Sequence, residues 1–194
     1  MYLRISSKSN IMKGVLFLLF LFLGQSLYAQ SECDTLKGVH SNYIYRKYSD
    51  EFHVYEENSK WDREDQRDFS MSPPYPTMYL KNMNILSRLM KENIKPYIKP
   101  EHIGFGNNFR FNLYFNEQGK ILELYFAYRQ DLIISVSAIE NLDRGIKENC
   151  YIAISGPKNI FEGAAYHRYI FTYSLKDIFN ENISEEDLKV RLWW

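Results

Sequence analysis

The sequence contains few of the residues that usually carry chemistry. Its 194 residues include two cysteines and four histidines. It has no C-x-x-C pair, no G-x-S-x-G serine elbow and no glycine-rich phosphate loop. Gly104-Phe105-Gly106 is interpreted as a turn. No catalytic residue and no cofactor are therefore predicted, which favours a protein without enzymatic activity.

An excess of charge of either sign is also missing. The whole sequence has 24 basic and 24 acidic residues. Three basic residues and no acidic residue fall within positions 1–29, so positions 30–194 have 21 basic and 24 acidic residues and a net charge of −3. Binding to nucleic acid or to an acidic membrane surface requires a basic patch, so neither is predicted.

The beginning of the chain has the pattern of a secretory signal peptide. Residues 15–23 are an unbroken apolar run, shorter than the roughly 20 residues that a membrane span needs. The small Ala29 favours cleavage between Ala29 and Gln30. The basic residues that precede the run are Arg4, Lys8 and Lys13. We therefore predict a signal peptide over 1–29 and one periplasmic or extracellular domain over 30–194, with an ordered core at about 43–192. An uncleaved membrane anchor is the alternative.

Both cysteines, Cys33 and Cys150, lie in the predicted exported part. In an oxidising compartment a cysteine pair usually forms a disulfide. The expected bond would join the start of the mature chain to the middle of the domain.

The first half of the domain contains short elements. Alternating apolar residues in 43–57 predict two strands, and 58–77 is charged and then proline-rich, as expected of a loop. A helix is predicted next, with Thr77 as its cap and an end near Lys95, because Pro96 follows.

The strongest local pattern is a β-hairpin. Residues 109–115 and 120–129 alternate between apolar and polar, and Gly119 suits the turn between them. Each strand should turn four apolar side chains to one face of the sheet. These are Phe109, Phe111, Leu113 and Phe115 on the first strand, and Leu122, Leu124, Phe126 and Tyr128 on the second.

The rest of the chain adds helices and strands in alternation. Residues 136–148 are predicted to form a helix, capped by Ser135 or Ser137 and supported by a Glu140–Arg144 pair. Residues 151–155 and 166–175 are predicted strands, and Ser184 could open a short last helix. The predicted fold class is α+β, an antiparallel sheet containing a central β-hairpin, with helices packed on one face.

Residues 109–175 resemble the C-terminal domain of TonB. The shared features are the turn Asn116-Glu117-Gln118-Gly119-Lys120, the amphipathic helix at 138–146 and the returning strand at 169–175. The resemblance implies a ββαβ core with an N-terminal extension, and binding of short peptides, often by strand addition. TonB proteins also keep a membrane anchor and a proline-rich spacer, whereas here the apolar run at 15–23 has the pattern of a cleavable signal and no such spacer is seen, so energy transduction is not expected. The whole chain is similar to small exported proteins of unknown function from Gram-negative gut bacteria.

Metal binding is not predicted. His53, Glu56 and Glu57 could share an ion on a helix, but this stretch is predicted to be a strand. The acidic stretch 62–68 lacks the spacing of a calcium loop, and arginines interrupt it.

The predicted binding surface is the polar face of the hairpin. It consists of Arg110, Asn112, Tyr114, Glu123 and Tyr125. We expect a protein or peptide partner of the cell envelope, bound at this face or at an edge of the sheet. The alternative is a small secreted hydrolase or carbohydrate-binding protein whose functional residues are scattered along the sequence.

Overall fold

The structure, a computed structural model, describes residues 33–59, 77–104, 106, 108–156 and 166–179. The predicted signal peptide, most of the predicted loop over 58–77 and the predicted helix from Ser184 lie outside these residues. The fold class is α+β, as predicted. Two helices and eight strands are described, and all strand pairs are antiparallel.

An open six-stranded sheet forms the largest part of the fold, in the order β1-β2-β3-β6-β5-β8. The two strands predicted within 43–57 are confirmed as β2 and β3, and a further strand, β1, precedes them. The sheet consists of β1 (Cys33–Lys37), β2 (Asn42–Tyr48), β3 (Glu51–Glu56), β5 (Asn108–Phe115), β6 (Ile121–Arg129) and β8 (His167–Ser174). A separate two-stranded sheet pairs β4 (Thr77–Lys81) with β7 (Tyr151–Ser155).

The predicted hairpin is confirmed as β5 and β6, with Gly119 in its turn. Gly119 has a φ of 79°, a conformation that side chains other than glycine rarely adopt. Its carbonyl accepts a hydrogen bond from the backbone N–H of Ile152 at 2.8 Å. A Cβ atom at Gly119 would lie 1.9 Å from the carbonyl oxygen of Ile152. The turn therefore requires glycine for its backbone conformation and also for its contact with β7.

The first helix, α1 (Met83–Asn93), begins later than predicted. Thr77 is not its cap, because residues 77–81 pair with β7 as a strand and bury Leu80 in the core. Asn82 lies at the N-cap instead, in the left-handed conformation with a φ of 63°. The pairing of β4 with β7 outweighs the helical spacing of the apolar residues in this stretch.

The second helix, α2 (Val136–Asn149), starts as predicted. The side chain of Ser135 accepts a hydrogen bond from the N–H of Ala138 at 3.3 Å. The predicted Glu140–Arg144 pair is wrong. Glu140 is buried and accepts hydrogen bonds from the turn between β1 and β2, while Arg144 donates to Asn141 at 3.1 Å.

The core lies between the main sheet and the helices. Phe109, Phe111, Leu113 and Phe115 are all fully buried, as predicted for one face of β5. The ring of Phe111 stacks on Phe171 of β8, with centroids 4.6 Å apart. The helices contribute residues at the predicted spacing, namely Leu86 and Met90 from α1 and Ile139, Leu142 and Ile146 from α2.

The predicted apolar face of β6 is wrong for one residue, Leu122. The register shifts between Tyr114 and Phe115, so that Tyr114 pairs with Glu123 but Phe115 pairs with Ile121. Ile121 is therefore buried, and Leu122, in the bulge, is only partly buried. Strict alternation along the sequence assigns Leu122 to the core because it does not reveal a bulge.

The predicted disulfide is also wrong, because both cysteines are free. Cys33 is exposed at the start of the outer strand β1, where it pairs with Arg46. Cys150 is buried at the end of α2, and its sulfur lies 3.9 Å from the carbonyl oxygen of Asn82. Their surroundings differ because the main sheet carries Cys33 and the helical layer buries Cys150.

Candidate functional site

The face of the main sheet opposite the buried apolar side of β5 carries a row of polar and aromatic residues. Strand register places Arg110 beside Ala127, Asn112 beside Tyr125 and Tyr114 beside Glu123. The five residues predicted to bind a partner thus share one face of the hairpin. Whether they bind a ligand stays a prediction.

Their environments differ, so they do not form one uniform surface. Tyr114 is buried, with 2% of its surface exposed. Glu123 accepts a hydrogen bond from the hydroxyl of Ser59. Tyr125 stacks on Tyr55 with ring centroids 5.9 Å apart. Arg110 lines an open cavity.

This cavity is a polar cleft of about 450 Å³, which we call the sheet-end cleft. It lies where the turn after β2, the end of β6 and the start of β5 meet. Its lining is made almost wholly of charged and amide side chains: Asp50, Glu51, Gly106, Asn108, Arg110, Arg129, Gln130, Asp131 and Thr172.

Two ion pairs organise the cleft. Arg110 of β5 donates to the carboxylate of Glu51 on β3. Arg129, at the end of β6, donates hydrogen bonds from two nitrogens to the carboxylate of Asp131, and its Nε lies 2.9 Å from Oδ1. The bond from Arg129 lowers the pKa of Asp131 below its ordinary value. The carboxylate of Asp131 is therefore charged at neutral pH.

Aromatic side chains flank the Glu51 side of the cleft. His53 Nε2 lies 3.4 Å from Glu51, and its ring packs against Tyr48 with centroids 4.6 Å apart. Burial lowers the pKa of His53, and the charge of Arg110 adds to this against the opposing effect of Glu51. His53 is therefore mostly neutral at pH 7.

The outer edge of the main sheet is a second candidate surface. All five residues of β1 are exposed, and β1 pairs on one side with β2 and with no other described strand. The hairpin of β1 and β2 closes at a turn where the N–H of Gly38 donates to the carbonyl of Ser41 at 2.9 Å.

Glu140 of α2 holds this turn in place. Its carboxylate accepts three backbone hydrogen bonds, from Val39 at 2.8 Å, His40 at 2.6 Å and Ser41 at 2.9 Å. Burial alone would raise the pKa of Glu140, but the three N–H donors outweigh it and lower the pKa below its ordinary value. The turn is thus bound to the helix by a charged acceptor.

Lys147 and Asp143 also connect α2 to the main sheet, through β2 and β3. Lys147 lies 2.9 Å from both Glu56 of β3 and Asp143 of its own helix. The hydroxyl of Tyr43 on β2 donates to Asp143 at 2.9 Å. Burial raises the pKa of Asp143 in spite of Lys147, whereas for Glu56 the bonds from Ser41 and Lys147 outweigh burial and lower the pKa.

The sequence prediction missed most of this arrangement. It did not assign a role to Glu51, Arg129 or Asp131, because they come from separate segments that meet only in the folded sheet. It gave Glu140 a pair with Arg144 inside the helix, because the turn between β1 and β2 that Glu140 contacts lies about 100 residues away in sequence.

The described residues include neither a metal-binding cluster nor a membrane-spanning helix. No group of three or more His, Cys, Asp or Glu side chains is placed to hold a metal ion in this part of the chain. No helix in the described ranges is both long and apolar enough to cross a lipid bilayer.

Comparison with known proteins gives likeness at the level of fold. Neither the family models nor the curated proteins give a match to this chain. Among solved structures, a DUF5043 family protein from Bacteroides uniformis is similar with a TM-score of 0.53. The likeness covers 74% of this chain and 86% of that chain, at 10% sequence identity. Identity this low shows a shared fold alone. It agrees with the predicted likeness to bacterial proteins of unknown function, while the resemblance to TonB stays a prediction.

Proposed function

We propose that this chain is an exported, non-catalytic module that binds a protein or peptide partner by strand addition at β1. The observation that carries the proposal is the outer strand itself, exposed at all five residues from Cys33 to Lys37. A strand at the edge of a sheet presents unpaired backbone groups, and extended peptides bind to such edges.

The hydrogen-bond pattern indicates which backbone groups face outward. In an antiparallel pair, hydrogen-bonded and non-hydrogen-bonded residue pairs alternate. The bond from Gly38 to Ser41 makes this the hydrogen-bonded pair next to the turn, so Leu36 opposite Tyr43 is bonded as well. The N–H and C=O groups of Cys33, Thr35 and Lys37 then point away from β2, toward an incoming strand.

A rigid edge favours binding, because less conformational entropy is lost when the partner adds. The three bonds to Glu140 hold the turn that begins β2, and the pairing of Tyr43 with Asp143 holds the strand behind the edge. The helix thus fixes the hairpin on the side away from the proposed partner.

Site-specific photo-crosslinking tests the proposal. A photoreactive amino acid replaces Leu36, whose surface is 41% exposed, and in a control chain it replaces Glu92 on α1. In cells that make the protein, we expect a discrete protein adduct from position 36 and none from position 92.

The decisive comparison adds a second substitution at Thr35. Thr35→Pro removes an outward N–H without removing a bond to β2, whereas Thr35→Ser keeps the N–H. We expect the adduct to disappear with proline and persist with serine, at equal melting temperatures. An adduct that survives Thr35→Pro, or that forms equally at position 92, would contradict strand addition.

The export half of the proposal rests on the N-terminal sequence. Mass spectrometry of the protein purified from the cell envelope or medium should find Gln30, open or cyclised, as the first residue. Retention of residues 1–29 on a membrane-bound protein would contradict cleavage.

A further inference from the structure

We propose that the sheet-end cleft is a second binding site, for a small uncharged ligand rich in hydroxyl groups, that is, a saccharide unit. The site is separate from the edge of β1. Its core consists of the two ion pairs, Arg110 with Glu51 and Arg129 with Asp131.

Charge disfavours an ionic ligand. Each guanidinium already has a carboxylate partner, and Asp50 adds a further negative charge to the lining. A phosphate or carboxylate would have to compete with these partners and approach Asp50. A cation would instead meet the two guanidinium groups. A neutral ligand avoids both costs.

The hydrogen-bonding groups match hydroxyls. A guanidinium has five N–H donors and a carboxylate about four acceptor positions, so each ion pair places donors and acceptors side by side. Asn108, Gln130 and Thr172 add side chains that both donate and accept. A hydroxyl group also does both, and neighbouring hydroxyls of a sugar ring present the same alternation.

An aromatic ring lies beside one of the residues that line the cleft. Tyr48 is the cross-strand neighbour of Glu51, is 46% exposed and packs on His53. The C–H face of a sugar ring is apolar and packs on aromatic rings, so Tyr48 would cover the side of the ligand that lacks hydroxyls.

Nitrogen-15 spectroscopy of the protein purified from the cell envelope or medium tests the inference. The probes are the methyl glycosides of glucose, galactose and mannose, with inorganic phosphate and triglycine as the competing chemistries. We expect at least one glycoside to shift the Nε–H signal of Arg129 and the side-chain amide signals of Asn108 and Gln130, with phosphate and triglycine leaving them unchanged.

Variants assign the binding to the cleft. Asn108→Ala should weaken glycoside binding at least five-fold. Arg129→Lys, which cannot donate the two parallel hydrogen bonds to Asp131, should weaken binding more. Arg144→Lys, on the exposed side of α2, should bind as the unmodified chain does. If Arg129→Lys does not give a folded spectrum, Asn108→Ala alone provides the comparison.

Three outcomes would overturn the inference. Shifts caused by phosphate would make the cleft an anion site, and shifts caused by triglycine would make it a peptide groove. No shift with any glycoside would mean that the cleft does not bind saccharide units. None of these outcomes affects the crosslinking at β1, so the two proposals fail separately.

Discussion

Phe111 and Arg110 are neighbours in β5 with opposite surroundings. Phe111 is fully buried and stacks on Phe171, while Arg110 lies on the polar face with its side chain 39% exposed. Phe111→Ala should lower the free energy of unfolding by about 3–5 kcal/mol, through lost burial and the cavity that remains. Arg110→Ala removes one partly exposed ion pair and should cost about 0–1 kcal/mol. Urea denaturation of both variants checks this, and a larger loss for Arg110→Ala would invert the face assignment.

The two cysteines should differ in reactivity. Burial raises the pKa of the Cys150 thiol to about 11, and 5% of the residue is exposed, whereas Cys33 is on the surface. We expect a thiol reagent at pH 8 to modify one cysteine in the folded protein and both in denaturant. Peptide mapping should find the first modification at Cys33. If neither thiol reacts in the absence of reductant, the result would instead support the predicted disulfide between Cys33 and Cys150.

At the scale of elements, the turn of the hairpin makes a sharp prediction. Gly119→Ala combines a left-handed backbone with a clash against Ile152, and Gly106→Ala has a similar φ of 83° with no atom within 4 Å of the added Cβ. Gly106→Ala should cost about 1–2 kcal/mol, the usual penalty of this conformation for alanine. Gly119→Ala should cost clearly more, because β7 must move. Thermal unfolding of both variants measures the difference, and equal losses would mean that the contact with Ile152 is unimportant.

The bond between α2 and the β1–β2 turn should depend on pH. The pKa of Glu140 is lower in the folded than in the unfolded chain, so its contribution to stability is complete above the unfolded pKa and is lost as pH falls through the folded pKa. Glu56 acts in the same direction and Asp143 in the opposite one. The protection factors of the Val39 and Ser41 amides, that is, the intrinsic exchange rate at each pH divided by the observed rate, should therefore fall on acidification.

A variant isolates Glu140 from its neighbours. Glu140→Gln places an amide group opposite N–H donors and should leave at least one of them without an acceptor, at a cost of about 1–3 kcal/mol. Exchange at Val39 and Ser41 should then be fast at neutral pH and should lose its excess acid sensitivity. Glu148 is an exposed carboxylate further along α2. As a control, Glu148→Gln should leave the exchange rates of both amides unchanged. Acid sensitivity that persists in Glu140→Gln would assign the effect to Glu56.

The elements with regular alternation or a clear cap were predictable from the sequence. The hairpin of β5 and β6, the strand β8 and the helix that begins after Ser135 follow from local patterns. Features that depend on distant partners were not. Thr77 belongs to a strand because β7 lies beside it, and Leu122 leaves the core because of a bulge.

The whole molecule explains why the candidate sites were only partly predictable. Arg110 could be placed on the polar face by alternation alone. Its partner Glu51 lies far away in sequence, and the sheet-end cleft exists because β3 inserts beside β6. The outer position of β1 likewise depends on the order of all six strands. Local periodicity defines the faces of a strand, but strand order decides which side chains meet across the sheet.

The insertion of β3 beside β6 also has a consequence for folding kinetics. Residues 33–56 form a local three-stranded meander, and β5 with β6 forms a local hairpin, but Glu51 must find Arg129 before the main sheet is complete. Closing such a long loop is entropically costly, and topologies rich in distant contacts fold slowly. A slow last step keeps the chain open for longer after synthesis. For a protein predicted to leave the cytoplasm, that delay extends the time in which an unfolded chain can still be threaded across a membrane.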